Sequence, residues 1–73
     1  MANTWIATPM NSTERVAQFR SSDFDARTLH DRFGDVAIYD LTDNLRPVCY
    51  VTATDRLAAD GESRILEVTP ADR

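Results

Sequence analysis

Two segments of this chain, 35–41 and 48–54, are apolar on both sides of a period-two pattern. Val36 and Ile38 alternate with Ala37, Tyr39 and Leu41, and Val48 and Tyr50 alternate with Cys49, Val51 and Ala53. Successive side chains of a strand point to opposite faces. An antiparallel sheet with one wet face should therefore alternate apolar with polar. These two strands do not, so whatever sheet they form needs cover on both faces or carries an apolar patch. A third segment, 64–69, is two-faced in the ordinary way, with Leu66 and Val68 set against Glu67. The polar run Thr42-Asp43-Asn44-Leu45-Arg46-Pro47 joins the first two as a turn. Consecutive strands usually neighbour one another, which makes an antiparallel meander.

Helical signals precede the strands. Asn11 offers an N-cap and Glu14 stands in the capping-box position, which predicts a short helix over 12–20 with Val16 and Phe19 as its apolar contacts. Ser22 is placed to cap a second helix over 23–33. Within it Ala26, Leu29, His30 and Phe33 fall on one stripe, while Asp23, Arg27 and Asp31 form a ladder on another face. Gly34 suits the left-handed residue that ends a helix. Residues 4–8, Thr-Trp-Ile-Ala-Thr closed by Pro9, form a candidate edge strand. A single helical turn through Leu57-Ala58-Ala59 and an Asp60-Gly61 turn fill 55–63. The expected fold is α+β: one small domain over 1–73, two short helices packed on a three-stranded antiparallel sheet, with 4–8 available as a fourth strand.

Length limits what such a core can do. A chain of 73 residues removes only about 60% of its unfolded surface from water, and scaffolds of that size commonly carry a staple. Cys49 is the single cysteine and His30 the single histidine, so neither an intrachain disulfide nor a structural zinc site with its four ligands is expected. No metal and no cofactor are expected. A partner chain remains as the staple. Two short helices cover one sheet face. The other is covered either by the N-terminal segment with Trp5 and Ile6 or by another chain, a protein partner or a second copy. The missing staples favour another chain.

Charge narrows the partners. Eight basic residues, all arginine, face 12 acidic ones for a net charge of -4. The arginines are spread along the chain, so direct nucleic-acid binding is disfavoured. No run approaches the roughly 20 apolar residues of a membrane span. Residues 1–10 lack the basic and apolar regions of a signal peptide. The expected location is cytoplasmic, which suits a lone thiol.

Catalytic chemistry finds little support. His30 and Asp31 are adjacent on a helix and point about 100° apart. A Cys49–His30 nucleophile pair would need an activated, exposed thiol, and Cys49 lies in mid-strand. Asp40, Thr42 and Asn44 match alternate positions of a calcium loop, but Leu45 stands where that loop needs Gly and Val51 where it needs Glu. Both glycines, Gly34 and Gly61, read as turn or cap residues, so no phosphate loop is present. Two helices followed by a hairpin admit a small winged-helix DNA-binding regulator as an alternative. The acids on its second helix make that a poor recognition surface.

The sequence thus points to a non-enzymatic, acidic interaction protein: an inhibitor, adaptor or regulatory subunit that occludes or bridges a larger protein. A nucleic-acid-binding protein with a basic groove is one such partner, met by an anionic face of Asp23, Asp25, Asp31, Asp35, Asp40 and Asp43. The expected contact residues are Tyr39, Leu41, Tyr50 and Val51 on the uncovered sheet face, flanked by Asp40 and Asp43. Arg46 is the anchor at the hairpin tip.

Overall fold

A computed structural model describes residues 2–71. It contains five strands and one α-helix: β1 (Thr4–Pro9), β2 (Ala17–Arg20), α1 (Ala26–Phe33), β3 (Val36–Asp40), β4 (Arg46–Leu57) and β5 (Arg64–Pro70), with a 3-10 turn at Ser21–Asp23. The strands form one sheet in the order β2-β1-β3-β4-β5, and every neighbouring pair is antiparallel. β1 and β2 make a hairpin, and β3, β4 and β5 make the expected meander. β2 and β3 are parallel to each other, lie on either side of β1, and are joined through α1 across one face.

This corrects the expectation of two helices on a three- or four-stranded sheet. The segment 12–20 is a loop followed by β2. Its residues pair with β1 in the register Trp5↔Phe19 and Ala7↔Ala17. The capping-box residues do not cap a helix: Ser12 Oγ instead accepts the Glu14 N–H at 3.0 Å and stabilises a turn. Val16 and Phe19 fit a helical stripe and a strand equally, and pairing with β1 decides the matter. Residues 4–8 are likewise not an edge strand. β1 sits between β2 and β3, which explains why Ile6, Ala7 and Thr8 are all buried. The helical turn expected at 57–59 is also absent, since β4 runs on to Leu57. With one helix, the winged-helix reading loses its helix pair.

The second predicted helix does form, but it is shorter. Asp25, not Ser22, is its N-cap, with Oδ1 accepting the Thr28 N–H and Oδ2 the Thr28 hydroxyl. Gly34 ends it at φ +77°, a conformation that costs a residue with a Cβ. Its apolar stripe packs on the face that carries Ala7, Val36, Ile38, Cys49 and Val51, and Leu29 completes that core. Trp5, Phe19 and Phe24 close one end of it, with Trp5 edge-on to Phe24 at 5.7 Å and Phe19 stacked on Phe24 at 6.1 Å. Trp5 therefore belongs to the helix side and does not cover the opposite face.

The β4–β5 hairpin bulges between Ala53 and Leu57. The extra residues there are held by Thr54, whose hydroxyl donates to Ile65 O at 2.7 Å and whose own carbonyl accepts from Arg64 Nη1. Among the described residues no helix is long and apolar enough to cross a membrane.

Candidate functional site

The face opposite α1 resolves the problem of strands that are apolar on both sides. Cross-strand partners share a face, so Ile6↔Tyr39 and Thr8↔Ala37↔Tyr50↔Thr69 lie together on the helix-free side. Ile6, Thr8 and Ala37 are buried there without any helix above them. Tyr39 and Tyr50 stand over this floor half-buried, diagonal to one another on the two central strands. Exposed Gln18 and Arg20 border the face on β2, and exposed Glu67 and Thr69 border it on β5.

Beside Tyr39 the loop after β1 leaves a groove of about 230 Å³. Ile6 and Thr8 form its floor, Ser12, Thr13 and Arg15 one wall, and Tyr39 and Leu45 the other. The groove combines an apolar floor with hydroxyls and a guanidinium, so it offers apolar contact and hydrogen bonds to one occupant.

Leu45 is the unusual member. The turn between β3 and β4 is closed by Arg46 N donating to Asp43 O at 3.2 Å. Its two central residues, Asn44 and Leu45, have φ of +58° and +62°. Two positive φ values are what a tight hairpin turn of the Asn-Gly kind demands. Asn tolerates that conformation, but Leu stands in the position that favours Gly, at a cost of about 1–2 kcal/mol. The strained leucine is also 40% exposed.

The residues named from the sequence divide into three groups. Tyr39 and Tyr50 come together on the helix-free face. Asp40, Leu41, Asp43 and Arg46 belong to the turn region. Asp40 is only 7% exposed. Its carboxylate accepts from Asn3 Nδ2 at 2.7 Å and from the Asp43 N–H at 3.2 Å, which makes it the inner brace of the turn. Leu41 is half-buried, with its N–H donating to Thr4 O. Asp43 and Arg46 are exposed and paired with each other at 3.5 Å. Val51 lies on the opposite side at 0% exposure, in the core under α1, so it is removed from any contact surface. The sequence reading missed Leu45, Arg15 and the Ile6 floor. The available signal was a lone leucine inside an otherwise polar turn.

The six aspartates expected to form an anionic face are largely engaged locally. Asp25 caps α1, Asp31 pairs with Arg27 and Asp43 with Arg46. Asp40 braces the turn, and Asp35 binds His30. The partner of His30 is thus Asp35, not Asp31. Cys49 is 6% exposed, and burial raises its thiol pKa, so the thiolate nucleophile is disfavoured. Among the described residues no group of three His, Cys, Asp or Glu side chains is placed to hold a metal ion.

No protein-family model matches the chain, and no curated protein or solved structure matches it either. The functional reading therefore rests on the geometry of the helix-free face.

Proposed function

We propose that this chain is a non-enzymatic interaction protein of the cytoplasm that docks on a larger protein through its helix-free sheet face and occludes or bridges that partner. The observation that carries the reading is Leu45, an exposed leucine held at positive φ at the lip of a groove shared with Tyr39. Backbone strain of this kind gathers at ligand clamps and contact sites. Tyrosines that are rigid, half-buried and tipped with a hydroxyl are the side chains that anchor protein interfaces. The partner surface that fits offers an apolar socket for Leu45 and hydrogen-bond acceptors for the two phenols. A net charge of -4 favours encounter with a cationic partner.

The test is parallel affinity capture from the native source with the wild type, a Tyr39→Ser/Tyr50→Ser double variant and an Arg56→Ala control. The reading expects one protein held by the wild type and the control and reduced at least about tenfold by the double variant, a loss of about 1.4 kcal/mol or more. Equal capture by all three contradicts it. If the double variant is unfolded by circular dichroism, the tyrosines are core residues and the docking face is elsewhere.

A further inference from the structure

A second surface, separate from the tyrosine face, lies on the helix side along β2. β2 is an outer strand, and its hydrogen-bonding parity is fixed by its neighbours. Just before β1, Asn3 O accepts from Ser21 N, and on β1 Ala7 O accepts from Val16 N, while Thr4 O accepts from Leu41 N on the other side. Odd-numbered residues of β1 thus bond β2. Antiparallel pairing alternates, so Ala17 and Phe19 bond inward. The N–H and C=O groups of Gln18 and Arg20 face outward, and among the described residues no strand pairs with them. Between this open edge and α1 runs a groove of about 330 Å³. Val16, Phe19, Leu29 and Phe33 give it an apolar floor, Asp23 and Asp25 border one end, and Arg32 borders it as well.

The direction of the groove follows from the topology. α1 leaves the C-terminal end of β2 and returns the chain to the start of β3. β3 runs parallel to β2, so α1 runs back along it. Asp23 and Asp25 therefore mark the end near Arg20, and Arg32 marks the end near Val16.

We propose that this groove binds an extended peptide segment of another protein as an added antiparallel strand on β2. Open backbone groups specify an extended chain, and the floor specifies apolar side chains at alternate positions. Antiparallel pairing is the more stable per residue, and with that direction the charged ends fix the order of charges along the segment. An antiparallel segment enters with its N-terminal end at Asp23 and Asp25 and leaves at Arg32. The matching pattern, read from the N-terminus, is basic, any, apolar, any, apolar, any, acidic, with every specified side chain on the groove side.

The test uses the full chain and a fluorescent peptide, acetyl-Lys-Thr-Leu-Thr-Leu-Thr-Glu-amide. Binding is read by anisotropy, and the contact is mapped by amide chemical shifts. The central threonine of the peptide lies opposite Gln18, so its N–H donates to the Gln18 carbonyl. N-methylation at that threonine is expected to weaken binding about tenfold. The N–H of the first leucine points away from β2, so methylation there is expected to be tolerated. Exchanging the terminal Lys and Glu is expected to weaken binding. Shifts are expected at Ala17–Arg20 and on α1. No saturable binding, or equal sensitivity to the two methylations, overturns the proposal. Shifts confined to Tyr39, Leu45 and Tyr50 overturn it as well and leave the tyrosine-face reading intact. Concentration-dependent self-association with exchange broadening at β2 assigns the edge to a second copy, which also overturns it.

Discussion

His30 Nε2 lies 2.8 Å from Asp35 Oδ1, and the same oxygen accepts the Ala53 N–H at 3.0 Å. One carboxylate thus ties the last turn of α1 to the middle of β4, across the turn that Gly34 opens. The His30 bond, followed by the Ala53 N–H, holds the Asp35 pKa below its ordinary value. Such a group contributes stability above its unfolded pKa, near 3.8, and loses it as pH falls through the lower folded value.

The first prediction concerns this clamp. Asp35→Ala should lower stability by about 1 kcal/mol at pH 7, since the carboxylate is half in solvent. The gap to the wild type should narrow as pH falls below about 4. Urea denaturation at a series of pH values measures it. A gap that is constant down to pH 2 would show that the charge of Asp35 contributes nothing. Asp25, bonded by the Thr28 N–H and hydroxyl, and Asp60, bonded by the Glu62 and Ser63 N–H groups, have lowered pKa values too, so they add to the same acid limb.

Leu45 should separate stability from binding. Leu45→Gly produces an Asn-Gly turn and relieves a positive φ, so stability should be unchanged or rise by up to about 1 kcal/mol. Partner capture should fall. A loss of more than about 1 kcal/mol on denaturant unfolding would instead make Leu45 a packing residue.

Asp40 and Asp43 are three residues apart in one turn and should behave differently. Asp40→Ala strands Asn3 Nδ2 and leaves the Asp43 N–H with the Asp40 main-chain carbonyl alone, and should cost about 1–2 kcal/mol. Asp43→Ala breaks only an exposed pair with Arg46 and should cost about 0.5 kcal/mol or less. Thermal melts of the two variants distinguish them. Equal costs would contradict the brace role of Asp40.

Cys49 should resist modification in the folded chain. It is buried on the helix side of β4, and burial raises its pKa. Iodoacetamide labelling followed by mass spectrometry should be at least about a hundredfold slower than for the urea-unfolded chain, as expected when reaction awaits opening of a core strand. Rapid labelling of the native protein would return a nucleophile to consideration.

The sheet was the more legible part of the fold. β3, β4 and β5 announce themselves through Val, Ile, Tyr and Thr at strand spacing and through turn residues between them. The α1 stripe was equally plain, although its cap was not: Asp25 and Ser22 are both good N-caps, and the choice depends on the 3-10 turn that precedes α1. The segment 12–20 misled because local capping signals favour a helix while long-range pairing with β1 makes a strand. Tertiary pairing decides such conflicts, and no local pattern contains it. β1 looked like an edge for the same reason. Of the candidate site, Tyr39 and Tyr50 were visible as apolar residues with no obvious cover. Val51 follows Tyr50 directly, so strand alternation already places the two on opposite faces and only one could share the surface with Tyr39; the position of α1 decides that the face of Val51 is the closed one. Arg15 and Leu45 join the site only when the loop and the turn fold back beside Ile6 and Tyr39.

The most direct measurement is hydrogen–deuterium exchange of the chain alone and in complex with the captured partner. The proposed docking face predicts added protection centred on 37–40, 44–46 and 48–51, with the amides of α1 unchanged. Protection confined to α1, or to the far end of the β4–β5 hairpin around 54–64, would contradict it.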